Sequence, residues 1–165
     1  MSVMAERGGR VERLVLSVYA RLPRPVRIRL VRLLKPSYVV GTIPFVFRED
    51  GRLLLVRHSY KSGWATPGGF VDRGEPPADA AIREVGEEVG LVVRIVGEPT
   101  VVVDPRERRV EVVLRAVPVD DADANDAVPV SPEIVEARWF DPAALPELQR
   151  ETIAARDAAG RAGWF

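Results

Sequence analysis

Three glutamates, Glu84, Glu87 and Glu88, stand at i, i+3 and i+4 within the segment Pro77–Val89. On a helix that spacing places them on one face. Carboxylates so close together repel one another. Surface helices usually relieve such repulsion with interleaved lysine or arginine, and here only Arg83 is near, to one side of the cluster. A hard divalent cation would offset it. Mg2+ takes oxygen ligands and keeps several waters, so a few carboxylates plus substrate phosphates suit it, with Mn2+ as the alternative ion. The plain alternative is an exposed acidic helix face. A metal among carboxylates can neutralise phosphate oxygens, and a glutamate tuned by its neighbours can deprotonate a water.

The glutamates need a helix held at a fixed place. Ala78, Ala81, Ile82, Val85 and Val89 recur at three- and four-residue spacing and predict a core-facing stripe. Pro76 or Pro77 opens that helix and Gly90 ends it. Before it, Gly68-Gly69 allows close backbone approach, and Gly74-Glu75-Pro76-Pro77 reads as a turn into the helix. Glu75 can pair with Arg83 or cap the helix. Upstream, Val39–Phe47 and Arg52–Arg57 read as strands joined by the turn Glu49-Asp50-Gly51, which predicts a hairpin. Downstream, strands are predicted over Leu91–Val96, Thr100–Val103, Val110–Val119 and Ala137–Phe140, and helices over Pro142–Leu148 and Gln149–Ala159. Asp104–Arg109 is a charged turn and Asp120–Asp126 an acidic loop. Strands around one strong central helix point to a mixed α/β domain.

Other residues near this centre could meet a substrate. Arg57 ends the second strand and could hold a phosphate with its guanidinium, or simply be solvated. Trp64 precedes the glycine pair and could stack on a base, although a tryptophan there more often packs its loop. His58, the single histidine, reads as a surface residue.

The chain has 165 residues, enough for one domain with a real core. It has no cysteine, which excludes disulfides, thiolate metal sites and cysteine nucleophiles, and suits a reducing cytoplasm. Its net charge is +0 but unevenly placed. Residues 1–36 carry nine basic and two acidic side chains, so a basic helical extension precedes an acidic domain over 37–165. Met1–Gly9 reads as frayed, Val11–Leu22 as a helix broken by Pro23 and Pro25, and Val26–Leu34 as a second short helix. No run approaches the ~20 apolar residues of a spanning helix. Arg27, Arg29 and Arg32 do not share one helical face, which weighs against a membrane and favours packing or a homodimer as the role of the extension.

Residues 69–91 read GFVDRGEPPADAAIREVGEEVGL. This resembles the signature of the Nudix hydrolases, G-x5-E-x7-R-E-U-x-E-E-x-G-U, with U a bulky aliphatic residue. Gly69, Glu75, Arg83, Glu84, Val85, Glu87, Glu88, Gly90 and Leu91 fill its positions and none departs. The strand pattern from about residue 38 to 148 resembles the family's domain as well. The resemblance implies an α/β/α sandwich with a mixed sheet between helices. It implies a nucleotide-type small molecule, typically a nucleoside diphosphate linked to another moiety, as substrate. It implies metal binding by Glu84, Glu87 and Glu88 joined by the Gly69 carbonyl, with Arg83 and Glu75 bracing the junction. Glu84 or Glu88 would share the base role. Some members draw the base from a later loop, for which Glu133 and Glu136 are the candidates, within a stretch that resembles a common C-terminal pattern of the family. Pro105, 15 residues after Gly90, matches a proline of the ADP-ribose-cleaving branch, and equally reads as a hairpin turn. A non-catalytic sensor on the same fold is the alternative, but such proteins often lose these glutamates. A related isomerase would need a catalytic cysteine. A decapping enzyme would need a basic track, so no extended nucleic acid is expected.

Overall fold

The computed structural model describes residues 13, 16–120 and 127–165. The frayed start expected over Met1–Gly9 and nearly all of the acidic loop Asp120–Asp126 lie outside them, as does part of the helix expected over Val11–Leu22, of which residues 16–21 are helical. The chain divides between Ser37 and Tyr38 into two compact units. No helix among the described residues is long and apolar enough to cross a membrane.

In the first unit, Pro23 precedes helix α1 (Arg24–Leu34), with Pro25 inside its first turn, where a missing N–H costs nothing. Lys35 turns extended and its N–H still reaches the Val31 carbonyl at 2.9 Å. The Arg27 guanidinium lies 5.9 Å from the centre of the Tyr19 ring. No residue of α1 is buried.

The second unit is an α/β/α sandwich. Strand β1 (Val39–Val46) runs parallel to β4 (Arg109–Pro118), and β3 (Val93–Asp104) runs antiparallel on the other side of β4. Strand β2 (Leu53–His58) pairs antiparallel with β5 (Ile134–Phe140). Side chains alternate across these strands. Val46, Leu54 and Val56 join Val85 and Val89 of helix α2 (Pro77–Val89) in one core cluster. Phe45, Leu53 and Leu55 join Ala155 and Ala159 of helix α3 (Arg150–Arg161) in another. Each fully buried Leu or Phe contributes about 1.5–3 kcal/mol, so a polar residue at Val85 would detach α2 and the glutamates it carries.

Three predicted elements differ. The β1–β2 hairpin does not form: the chain turns at Gly51, with its N–H on the Arg48 carbonyl, but pairing stops after the bridge between Phe47 and Leu53. Pro44 explains this. Val39 and Phe47 direct their N–H groups to Arg108 and Ala116 on the β4 side, while Thr42 directs its N–H the other way, to Gly69. Pro44 shares the parity of Thr42 and has no N–H to offer there. Pro142–Leu148 is not helical. Asp141 accepts N–H groups from Ala143 and Ala144 in a turn, and Leu148 bridges to Trp64, because Pro142 and Pro146 interrupt a helical ladder. After Gly69 a single bridge joins Phe70 to Gly41. The two strands predicted over 91–103 are one, β3, whose register shifts between Val96 and Thr100 around Gly97 at φ 72°. Pro105 sits in the turn joining β3 to β4, where Asp104 accepts N–H groups from Arg106 and Glu107.

Candidate active site

Helix α2 starts at Pro77 and is closed by Gly90 in the left-handed conformation, φ 69°, with its N–H on the Gly86 carbonyl. Its buried side consists of Ala80, Ala81, Val85, Val89 and, unexpectedly, Glu88. The three glutamates therefore do not share one solvent face. The Glu87 side chain is 61% exposed and that of Glu84 17%. Glu88 follows Val85 by three residues, so it falls at the edge of the apolar stripe. Burial pushes its carboxyl up to about 8, opposed by the Gly68 N–H that donates to it at 3.3 Å and reinforced by Glu84, Glu133 and Glu87.

Arg83 does not stand aside from the cluster either. Its Nε and Nη2 hold the two oxygens of Glu75 at 2.9 and 3.0 Å. Its Nη1 donates to Glu84 at 2.8 Å and to Glu87 at 3.1 Å, and Nη2 also reaches the Phe70 carbonyl. The Arg83 hydrogen bonds hold the Glu75 carboxyl down at about 2. Glu75 in turn accepts the Asp72 N–H, so one guanidinium ties the loop after Gly69 to the helix.

The glycines make room for this. A Cβ on Gly69 would lie 2.5 Å from the Glu84 carboxylate, so any side chain there would push that carboxylate from its place. The Gly69 carbonyl accepts the Thr42 N–H at 2.8 Å, which fixes its direction. A Cβ on Gly41 would overlap the Glu111 carboxylate and lie 3.3 Å from the Gly69 carbonyl oxygen. Glu84 and Glu111 thus both pack against bare backbone around Gly69.

The segment after the acidic loop completes the site. Val128 and Val130 donate N–H groups to the carbonyls of Val89 and Glu88, satisfying free acceptors at the end of α2. That docking brings Glu133 toward Glu88. Ser59 donates its N–H to the Glu133 carbonyl, and Tyr60 its hydroxyl to the Glu133 carboxylate at 3.5 Å. A cleft of about 540 Å³ opens here. Three cationic side chains line it, Lys61, Arg83 and Arg109, against six carboxylates, Asp72, Glu84, Glu88, Glu111, Glu133 and Glu151. The cations are already paired, Lys61 with Glu151 and Arg109 with Glu111. An anion could enter such a cleft only with added positive charge.

The donors suit a hard cation: carboxylate oxygens, a fixed backbone carbonyl and a buried carboxyl with no counter-ion of its own. Among the described residues no three acidic or histidine side chains already converge on one point that could hold an ion. Glu84 and Glu87 both accept hydrogen bonds from Arg83 instead.

The remaining predicted residues are placed unevenly. Glu133 lines the cleft; Arg57, Trp64 and Glu136 do not. Arg57 faces Glu136 across the β2–β5 ladder and pairs with it at 2.9 Å, so its guanidinium is already committed to a carboxylate. Trp64 packs edge-on against Phe140 at 4.8 Å between ring centres, as a loop-packing tryptophan does. His58 is half-buried rather than a surface residue. Burial lowers its pKa, with Lys61 adding, and Nδ1 lies 3.3 Å from Gln149 Nε2. Sequence reasoning missed Tyr60, Lys61, Arg109, Glu111 and Glu151. Arg109 and Glu111 carried a signal, two charges at i, i+2 in an otherwise β-branched run and hence on one face. A larger cavity, about 820 Å³, opens at the other end of β1 and β4 near Phe47, Arg94 and Arg115, but it holds none of the signature carboxylates.

The model of the NUDIX domain matches residues 37–159. A MutT-like protein from Streptomyces ambofaciens is 32% identical over 130 residues, 78% of this chain and 81% of that protein. Among solved structures, an ADP-ribose pyrophosphatase from Streptococcus suis aligns with a TM-score of 0.61 at 25% identity, covering 74% of this chain and 88% of that one. A MutT NUDIX hydrolase from Burkholderia pseudomallei aligns with a TM-score of 0.59 at 26% identity, covering 74% and 98%.

Proposed function

The chain belongs to the Nudix hydrolases, and from that premise we propose that it cleaves the diphosphate linkage of a nucleoside-diphosphate-linked substrate, with Mg2+ held by Glu84, Glu87, Glu88 and the Gly69 carbonyl. The observation that carries this reading is the buried Glu88 carboxylate beside Glu84 and Gly69, in a cleft whose own cations are all paired. A bound divalent ion would neutralise the diphosphate oxygens and lower the pKa of an attacking water.

The chain's own groups supply the rest. Arg83 and Glu75 brace the loop that follows Gly69, whose carbonyl accepts the Thr42 N–H and keeps a second lone pair for an ion. Lys61 and Arg109 flank the space open to the diphosphate and can exchange their carboxylate partners for phosphate oxygens. Glu88, raised by burial, and Glu133, held by Tyr60, are the two cleft carboxylates we assign to deprotonating the water. Burial, with Lys61 adding, lowers the His58 pKa and favours its neutral form. The likeness to an ADP-ribose pyrophosphatase makes ADP-ribose the first compound to try. The test is phosphate release across nucleoside di- and triphosphates, sugar nucleotides, dinucleotides and ADP-ribose, with and without Mg2+, and product identification to locate the broken bond. Mg2+-dependent cleavage of one class supports the reading. Binding without turnover across the panel, from folded protein, would replace it with a ligand sensor.

A further inference from the structure

We propose that the N-terminal helical unit seats this enzyme on an anionic lipid bilayer surface, through the apolar stripe Val26, Leu30, Leu33 and Leu34 of α1. These residues stand at i, i+4, i+7 and i+8, which gathers them on one side of a helix. All are exposed, Leu33 at 82% and Leu34 at 72%, and α1 covers none of them with its own unit. The opposite side carries Arg24, Ile28, Val31 and Arg32, which line a shallow pocket with Tyr19 and Arg27. At about 100° per residue, Arg29 falls beside Leu33 at one edge of the stripe and Arg27 beside Leu34 at the other. Arg27 and Arg29 therefore border the stripe rather than interrupt it, while Arg32 lies on the far side. Long cationic side chains at the edges of an apolar face can bury their stems while their heads meet phosphate.

Charge selects the occupant. From Arg13 to Ser37 the sequence holds seven basic residues and no aspartate or glutamate. A second copy docking through this face would bring like charge against like charge. A polynucleotide would neutralise the arginines and leave Leu33 and Leu34 in water. An anionic bilayer satisfies both features together: lipid headgroups pair with the arginines, and the acyl boundary takes the leucines. The helix lies in the interface and does not span it, being 11 residues long.

The experiment is co-sedimentation of the full chain with vesicles of phosphatidylcholine alone or mixed with phosphatidylglycerol, alongside the double variants Leu30→Asp/Leu33→Asp and Arg27→Glu/Arg29→Glu. The expected result is at least about tenfold stronger partition onto the anionic vesicles, lost in both variants, with the unfolding midpoint unchanged as a check on folding. Equal partition onto both vesicles, no partition, or anionic binding retained by the leucine variant would overturn the proposal. So would a dimer in solution that the leucine variant dissociates, or retention on a polynucleotide but not on vesicles. None of these readouts depends on the hydrolytic reaction, so the two proposals fail separately.

Discussion

Arg83 grips Glu75 with two nitrogens on two oxygens, at 2.9 and 3.0 Å, and with its third nitrogen spans Glu84 and Glu87. One side chain thus locks the loop after Gly69 to the helix and lends positive charge to two of the helix's carboxylates. Arg83→Lys keeps the charge and loses the fork. We expect kcat/KM to fall about 10- to 100-fold, and a double-mutant cycle with Glu75→Gln to be strongly non-additive. The pH dependence of this pair follows from a depressed carboxyl. Its stabilisation is present above the ordinary glutamate value near 4.5 and is lost only as pH falls through about 2. A fork that parts at mild acid, seen by loss of protection around Phe70, would count against it.

Glu88 has the opposite sign. Its folded pKa is raised to about 8 by burial, so without metal its contribution to stability is complete below about 4.5 and is lost as pH rises through about 8. Melting curves in the presence of a chelator should show the midpoint falling by several degrees between about pH 5 and pH 9. Glu88→Gln should flatten that slope while abolishing turnover. Metal affinity should rise with pH over the same interval, because binding displaces the proton. A flat profile for the parent protein would place Glu88 in a solvated environment instead.

Two glycines predict opposite outcomes. Gly69→Ala puts a methyl 2.5 Å from the Glu84 carboxylate and should cut turnover about 100-fold or more with the fold retained. Gly86 lies within α2 with nothing within 4 Å of an added Cβ. Gly86→Ala should therefore stabilise the protein by about 0.5–1 kcal/mol and leave kinetics alone. Chemical denaturation and steady-state assays of the pair decide both.

Trp64 separates packing from recognition. Its ring sits against Phe140 and is partly buried on the α3 side of the core. Trp64→Ala should cost about 2–4 kcal/mol of stability and leave KM within about twofold below the melting range. A large KM rise at unchanged stability would return Trp64 to the substrate.

The sequence was most informative where one local rule acts alone. Proline before and glycine after α2, and the spacing of its apolar residues, located that helix and its glutamates to within a residue. Pairing between distant strands was not legible. Nothing near Leu55 announces that its partner is Arg138 on β5 rather than a residue of β1, and the decisive proline acts through the direction of an absent N–H. Within the site, helical spacing placed Glu84, Glu87 and Glu88 on one side but could not sort their exposure, which depends on what packs over Val85. Arg57 and Trp64 lie near the signature in sequence, but the β2–β5 ladder pairs Arg57 with Glu136, and Phe140 packs Trp64 as a loop-packing tryptophan is packed.

The central claim is that a metal held by the α2 glutamates drives diphosphate hydrolysis, and Glu87 tests it most directly, because its side chain is 61% exposed and carries little of the fold. Phosphate release from the best panel substrate should be measured for the parent and Glu87→Gln across a Mg2+ titration. The account predicts Mg2+-dependent turnover that falls at least about 100-fold in the variant, with an unchanged unfolding midpoint. Parent-like turnover and Mg2+ dependence in Glu87→Gln would contradict it.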